Sequence, residues 1–229
     1  ELGSLFSIDV GSVPDPEEVL AKADRQLIEL SKNQKIDGFA AKQFSELLAD
    51  DDGTDPFTGI LARDGFNVAV RHAFGPAHSG EYPLSVAQVV IHGYDELGSS
   101  VGETAQDEVI IGTSVLLRRH FEHLGGVVCR LADSIFAVVM PGVERSVAAK
   151  EASQCCMDFS RRAPGWISEE GDGGGSVRLS VGIAALDDST RAMMSGPETL
   201  VKAASQAVLA ARAGEGSAVR SFVPRKNAA

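Results

Sequence analysis

Cysteine is scarce in this chain, at three residues (Cys129, Cys155 and Cys156), and aromatic residues make up only 6%. An odd, small number of thiols without paired spacing argues against a disulfide framework. It suits a reducing compartment, so a cytoplasmic location is expected. Adjacent Cys155 and Cys156 fall in a helical pattern and read as small, partly buried apolar side chains, with a redox role as the alternative. No apolar run reaches the roughly eighteen residues needed to cross a bilayer, and no signal-peptide pattern opens the chain. No membrane contact is therefore expected of this segment. Basic residues are in deficit too: 21 Lys and Arg against 32 Asp and Glu give a net charge of −11. An acidic surface repels phosphate backbones, which argues against non-specific nucleic-acid binding. It also offers nucleotides no general attraction; a local basic pocket would have to supply one.

What is present suffices for a sizeable core. The 229 residues are 44% hydrophobic, enough for one domain plus an accessory segment. The chain opens on Glu1 rather than methionine, so a piece of a longer protein is expected. Over residues 1–50, Asp15-Pro16-Glu17-Glu18 reads as a helix start, with proline in the first turn and acids at the positive end of the helix dipole. Leu20, Ala23, Leu27 and Leu30 follow as one apolar stripe. Phe39, Phe44, Leu47 and Leu48 continue helically after Asp37-Gly38. We read 1–50 as a helical stalk or the tail of an upstream domain. The stripe is too short in heptads to favour a dimerising coiled coil. Ala49–Pro56 is acidic and turn-rich and marks the boundary of a domain over 51–225.

Within that domain the patterning predicts helices over 61–74, 103–122, 143–162 and 197–213. It predicts strands over 85–91, 126–131, 135–140, 176–184 and 217–223, with a turn at Ala132-Asp133-Ser134. The central hairpin implies an α+β fold, a ferredoxin-like, mostly antiparallel sheet flanked by helices. The 171–175 glycine run lacks the Lys-Ser/Thr of a phosphate-binding loop and reads as a flexible connection. His120 and His123 lie one helical turn apart, a spacing that can suit a metal, but no supporting ligand cluster is visible.

Five blocks then carry a family resemblance. Residues 55–66, DPFTGILARDGF, resemble the D-x-L-T-G-L-x-N-R-x-x-F opening of GGDEF (diguanylate cyclase) domains. Gly102–Val109 resembles G-H-x-x-G-D-x-L, and Arg130–Phe136 occupies the place of R-x-G-G-D-E-F. Val177–Ala184 is similar to V-x-x-S-x-G-[IV]-A, and Ala204–Arg212 to A-D-x-A-L-Y-x-A-K. The blocks come in family order across roughly 51–223.

The resemblance implies a nucleotide-cyclase-like fold and an ancestral chemistry. Two GTP molecules are joined into cyclic di-GMP when a 3′-hydroxyl attacks an α-phosphate, with divalent metal neutralising charge. Mg²⁺ needs oxygen ligands, which the family supplies from the first strand and the GGDEF turn. Here the motif positions read Ala132, Asp133, Ser134, Ile135 and Phe136, and the first-strand acid is Val90. Val90 and Ser134 thus stand at the family's metal positions. The second first-strand Asp becomes His92, the Lys becomes Asp95, and the guanine-recognising Asn becomes Gly98. Asp133 is acidic but one residue early, and a one-residue offset in a strand changes face. Val90 and Ile135 read as a metal pocket converted to buried packing. The candidates left for nucleotide binding are Asp107, which also suits a helix N-terminus, and Arg212, which also fits an ordinary surface. The R-x-x-D product-inhibition positions read His123 and Gly126, so that site is not expected.

The resulting expectation is a catalytically inactive, degenerate GGDEF domain acting as a regulatory module in a larger bacterial protein. No cofactor is expected, with Mg²⁺ entering only with residual activity. The expected partners are an upstream domain in the same chain, a second copy or another protein, and a guanine nucleotide. Residues 15–36 resemble the closing helix of HDOD-type regulatory domains. The alternatives are a GTP or cyclic di-GMP binding effector and a weak cyclase with replacement ligands.

Overall fold

Strand β1 (Leu84–His92) is buried without a break over its first four residues and alternates only towards its end. Ala87, Val89 and Ile91 enter one core, while Leu84 and Val86 enter another. A strand apolar on both sides belongs in the middle of a covered sheet. A computed structural model, which describes residues 53–166, 176–214 and 216–224, places it there. The stalk expected over 1–50 and the 171–175 glycine run lie outside the described residues. β1 pairs antiparallel with β3 (Ile135–Pro141) and with β4 (Arg178–Leu186). β2 (Val127–Ala132) pairs antiparallel with β3, and β5 (Ala218–Ser221) runs parallel to β4. The order is β2-β3-β1-β4-β5, the ferredoxin-like plan with one parallel strand added at an edge.

Among the described residues there are five α-helices: α1 (Arg63–His78), α2 (Tyr94–Ser100), α3 (Glu103–Phe121), α4 (Arg145–Trp166) and α5 (Pro197–Arg212). α3 and α4 bury Val109, Leu117, Phe121, Ala152 and Phe159 against Val89, Phe136 and Val181. α1 and α5 bury Phe66, Val70, Phe74, Leu200 and Ala204 against Val86, Val139 and Ala184.

Several boundaries depart from the sequence expectation. α1 begins at Arg63 because Gly59, at φ +68°, turns the chain back, and Leu61 bridges to Cys129 instead of joining the helix. α2 was not expected; Gly93 at φ +80° turns β1 directly into it. The hairpin turn is the two residues Asp133 and Ser134, since Ala132 still pairs with Ile135 and a bulge at Leu131 absorbs the extra residue.

The histidine pair resolves into separate roles. His120 is buried, with Nδ1 2.6 Å from Glu151 Oε1 and Nε2 3.2 Å from Asp158 Oδ2, and so ties α3 to α4. His123 is exposed in a short 3₁₀ turn. All three thiols are free and buried, and burial pushes Cys129 and Cys156 up to about 12.

β4 meets α5 at Gly182. A Cβ there would overlap the backbone of Val208 and Ala204, so only glycine lets the helix lie this close. Overpacking of this kind costs about 1–3 kcal/mol. Gly182→Ala is expected to lose that much in urea denaturation, and an unchanged midpoint would refute the close approach.

Candidate functional site

The opening turn is built around one carboxylate. Asp55 Oδ1 accepts hydrogen bonds from Thr58 N (2.8 Å) and Thr58 Oγ1 (2.7 Å), while its carbonyl accepts from Gly59 N. This is the usual reason for Asp three residues before Thr at a turn. The same carboxylate faces Arg130 Nη1, at 3.3 Å from both oxygens. Arg130 Nη2 donates to the carbonyl of Asp133 (3.2 Å), and its guanidinium stacks 5.5 Å from the Phe57 ring centroid. Arg63 Nη2 donates to Leu131 O (2.7 Å), beside the bulge. Two arginines therefore clamp the β2–β3 hairpin to the opening turn, and Arg130 links Asp55 to the turn residue Asp133.

At the tip of the ladder Val90 and Ile135 are direct partners across β1 and β3. Both are half-buried rather than buried, and neither belongs to a core cluster. The expected conversion to buried packing is therefore corrected. The pair sits at the last rung of the ladder, where the sheet opens to the turn, so it receives only partial cover. Ser134 is half-buried, and its carbonyl accepts from Ile91 N (2.9 Å). Asp133 is exposed and is engaged through its carbonyl. Two hydrocarbon side chains and a hydroxyl do not fit Mg²⁺, which takes hard oxygen ligands in octahedral array. Among the described residues no three His, Cys, Asp or Glu side chains gather to hold a metal.

Two sets of charge lie on either side of this tip. Burial raises the Tyr94 hydroxyl above its ordinary value; Arg130 opposes this, and the carboxylates of Asp133, Asp107 and Asp95 add to it. These acids therefore gather around the start of α2. On the sheet face that α5 covers, His92 and Arg178 are register partners. His92 Nε2 lies 2.9 Å from the Oγ of buried Ser180. Burial depresses the His92 pKa, the Arg212 and Arg178 guanidiniums depress it further, and Glu96 opposes them. Asp107 acts on Tyr94 and Arg212 on His92. Arg178 and Ser180 were visible in the sequence only as parts of a strand motif, and nothing in the spacing announced their convergence with Arg212.

Glycines at two altered positions have local reasons. A Cβ at Gly98 would overlap the Gln106 carboxamide, whose Nε2 donates to Tyr94 O (2.8 Å). Gln106 has filled the space that a side chain at 98 would occupy. A Cβ at Gly126 would stand 2.7 Å from Phe121 O, so no aspartate fits there without moving the end of α3.

Residues 53–217 match the family model described as diguanylate cyclase, GGDEF domain. Among solved structures, the GGDEF domain of DgcB from Caulobacter crescentus in complex with c-di-GMP aligns at a TM-score of 0.64 and 20% identity, over 75% of this chain and 96% of that one. The FimX GGDEF domain from Pseudomonas aeruginosa aligns at 0.63 and 23% identity, over 74% and 100%. The active GGEEF domain of a diguanylate cyclase from Vibrio cholerae aligns at 0.59 and 18% identity, over 69% and 94%. No match was found among curated protein sequences. At these identities the structural likenesses establish the fold.

The clamp has a pH signature. Burial pushes the Asp55 pKa up, but the Thr58 hydrogen bonds and the Arg130 charge outweigh it and hold the carboxyl below its ordinary value. A depressed folded-state pKa adds stability that is present above the unfolded value, near 3.9, and is lost as pH falls through the folded value. Asp55→Asn keeps an acceptor for Thr58 but removes the charge facing Arg130, and is therefore expected to cost about 1.5–3 kcal/mol at neutral pH, the scale of a hydrogen bond to a charged group. The deficit should shrink towards zero below pH ~3.9. Chemical denaturation of both proteins at neutral and acid pH checks it, and a pH-independent deficit would refute the assignment.

Proposed function

The chain belongs to the GGDEF domain family, and on that footing we propose that this diguanylate-cyclase-like domain of cyclic di-GMP signalling is a catalytically silent, regulatory member. The reading is carried by the tip itself: Val90 and Ser134 stand at the family's metal positions, and Val90 is paired with Ile135, so hydrocarbon and a hydroxyl replace carboxylates there. Bound Mg²⁺ would supply charge neutralisation for attack of a 3′-hydroxyl on an α-phosphate. The residues at this tip offer hydrocarbon in place of ligands. Losing a charged partner typically costs a few kcal/mol, and each 1.36 kcal/mol is about tenfold in rate. Two losses therefore remove several orders of magnitude.

Regulation in this reading runs through the clamp. Whatever precedes residue 53 leads directly into the Asp55 turn, and that turn holds Arg130 and, through it, the hairpin. A displacement of the preceding segment is coupled to the hairpin through this ion pair and the Arg63 and Leu61 contacts beside it. The segment before the domain, in the same chain, is the partner this geometry favours, in a cytoplasmic protein. Binding of a guanine nucleotide without turnover is a second reading. It is favoured by the segregated charge, with carboxylates around Tyr94 and cations around His92.

The test is incubation with GTP and Mg²⁺ or Mn²⁺, followed by chromatographic detection of cyclic di-GMP. No product is expected. Sustained synthesis that Asp133→Ala abolishes would overturn the silent reading and make Asp133 a replacement ligand.

A further inference from the structure

The end of the sheet away from the β2–β3 turn holds a cleft of about 600 Å³, within the range of small-molecule sites. Its walls are the link from α1 to β1, the first turn of α4 and the loop that follows β4. β1 runs from this end, at Leu84, to the tip at Val90, about 20 Å away. Two guanidiniums and four carboxylates line it. Arg145 Nη2 donates to Asp187 Oδ2 and to Ser189 Oγ (3.2 Å). Asp187 is otherwise occupied with its own loop, accepting from Ser189 N, Ser189 Oγ and Thr190 Oγ1. Arg191 Nη1 donates to Asp188 (2.8 Å), an acid whose side chain is 96% exposed. The Arg191 guanidinium also lies beside Gly80, where a Cβ would stand 3.8 Å from Cζ. A guanidinium carries five N–H donors, and these bonds use few of them. The Nε of each arginine is buried without a partner among the described residues, and an orphan donor of this kind calls for an explanation. Glu81 and Glu144, both exposed, line the same cleft and make no ion pair among the described residues.

We propose that this cleft binds a small zwitterion of the α-amino-acid class, its carboxylate on Arg145 and Arg191 and its ammonium towards Glu81 and Glu144. A simple anion would meet the two glutamates, and a simple cation would meet the two guanidiniums. A molecule that carries both charges close together answers both groups. Guanidinium geometry favours bidentate pairing with a carboxylate, and the spare donors of Arg145 and Arg191 are what such pairing requires. Tyr82, Pro83 and Ala149 also line the cleft and offer apolar surface to the ligand's side chain. The site goes beyond the silent reading of the tip, since none of these residues belongs to the Val90–Ile135 end. Arg145 opens α4 and Asp187 follows β4, so an occupant ties helix to sheet and stabilises the folded chain.

The experiment is a melting-curve screen of the full chain against each standard L-amino acid at millimolar concentration, followed by calorimetric titration of those that raise the midpoint. At least one is expected to bind. Its decarboxylated amine and its N-acetyl derivative, which each lack one of the two charges, should bind at least about tenfold more weakly, the scale of one charge-assisted hydrogen bond. Arg191→Gln and Glu81→Gln should each weaken the free amino acid by a similar factor. Glu81 is exposed and without an ion pair among the described residues, so Glu81→Gln keeps the test open even where Arg191→Gln melts early. No binding by any amino acid, an N-acetyl derivative or amine that binds as tightly as the free amino acid, or binding that Glu81→Gln or a folded Arg191→Gln leaves unchanged would each overturn the inference.

Discussion

The pairing of Arg130 with Asp55 is the constraint on which the functional end of this domain depends. Arg130 lies on β2, an edge strand, and a hairpin at a sheet edge is held only on one side. The opening turn supplies the other side. Leu61 bridges to Cys129, Arg63 reaches the carbonyl of Leu131, and Arg130 spans from Asp55 to Asp133. The ion pair is largely sheltered, with side-chain exposures of 12% and 20%, so it escapes much of the screening that makes surface pairs weak. Removing either partner would leave the other charge poorly solvated. The turn, the bulge and the tip thus form one mechanical unit.

Much of the fold was legible because hydrophobic periodicity reports burial directly. The extended stretches Ser85–Ile91 and Val177–Ala184, the apolar hairpin and the four long helices all reappear within a few residues. What the pattern could not show were features with no periodicity. The seven residues of α2 are too few to make a stripe. The bulge at Leu131 shifts register without changing composition. Gln106 folded over Gly98 is a contact between residues eight apart on two separate helices. For the site, the substitutions were plain in the residues themselves, but the state of Val90 and Ile135 was not. An apolar residue in a strand pattern reads as buried, whereas its position on the last rung decides how much cover it receives.

Charge shows the same limit. Net charge says little about a local site, because fields act over a Debye length of roughly 8–10 Å. Here the acids around Tyr94 and the cations around His92 come from β1, β4, α2, α3, α5 and the hairpin turn. Only the fold brings them to one end of the sheet. Their separation into two groups differs from the interspersed charges of an ordinary surface.

The buried thiols carry a separate consequence. Cys129 lies on the clamped strand, and Cys155 and Cys156 lie on α4 against the opposite face. All three are shielded, and burial raises their pKa values far above neutrality, so each reacts with an alkylating reagent only when its surroundings open. The protein therefore contains two natural clocks, one at the edge strand beside the hairpin and one in the helical layer behind the sheet. Their relative rates distinguish loosening of the hairpin end from unfolding of the whole domain, without any label being introduced.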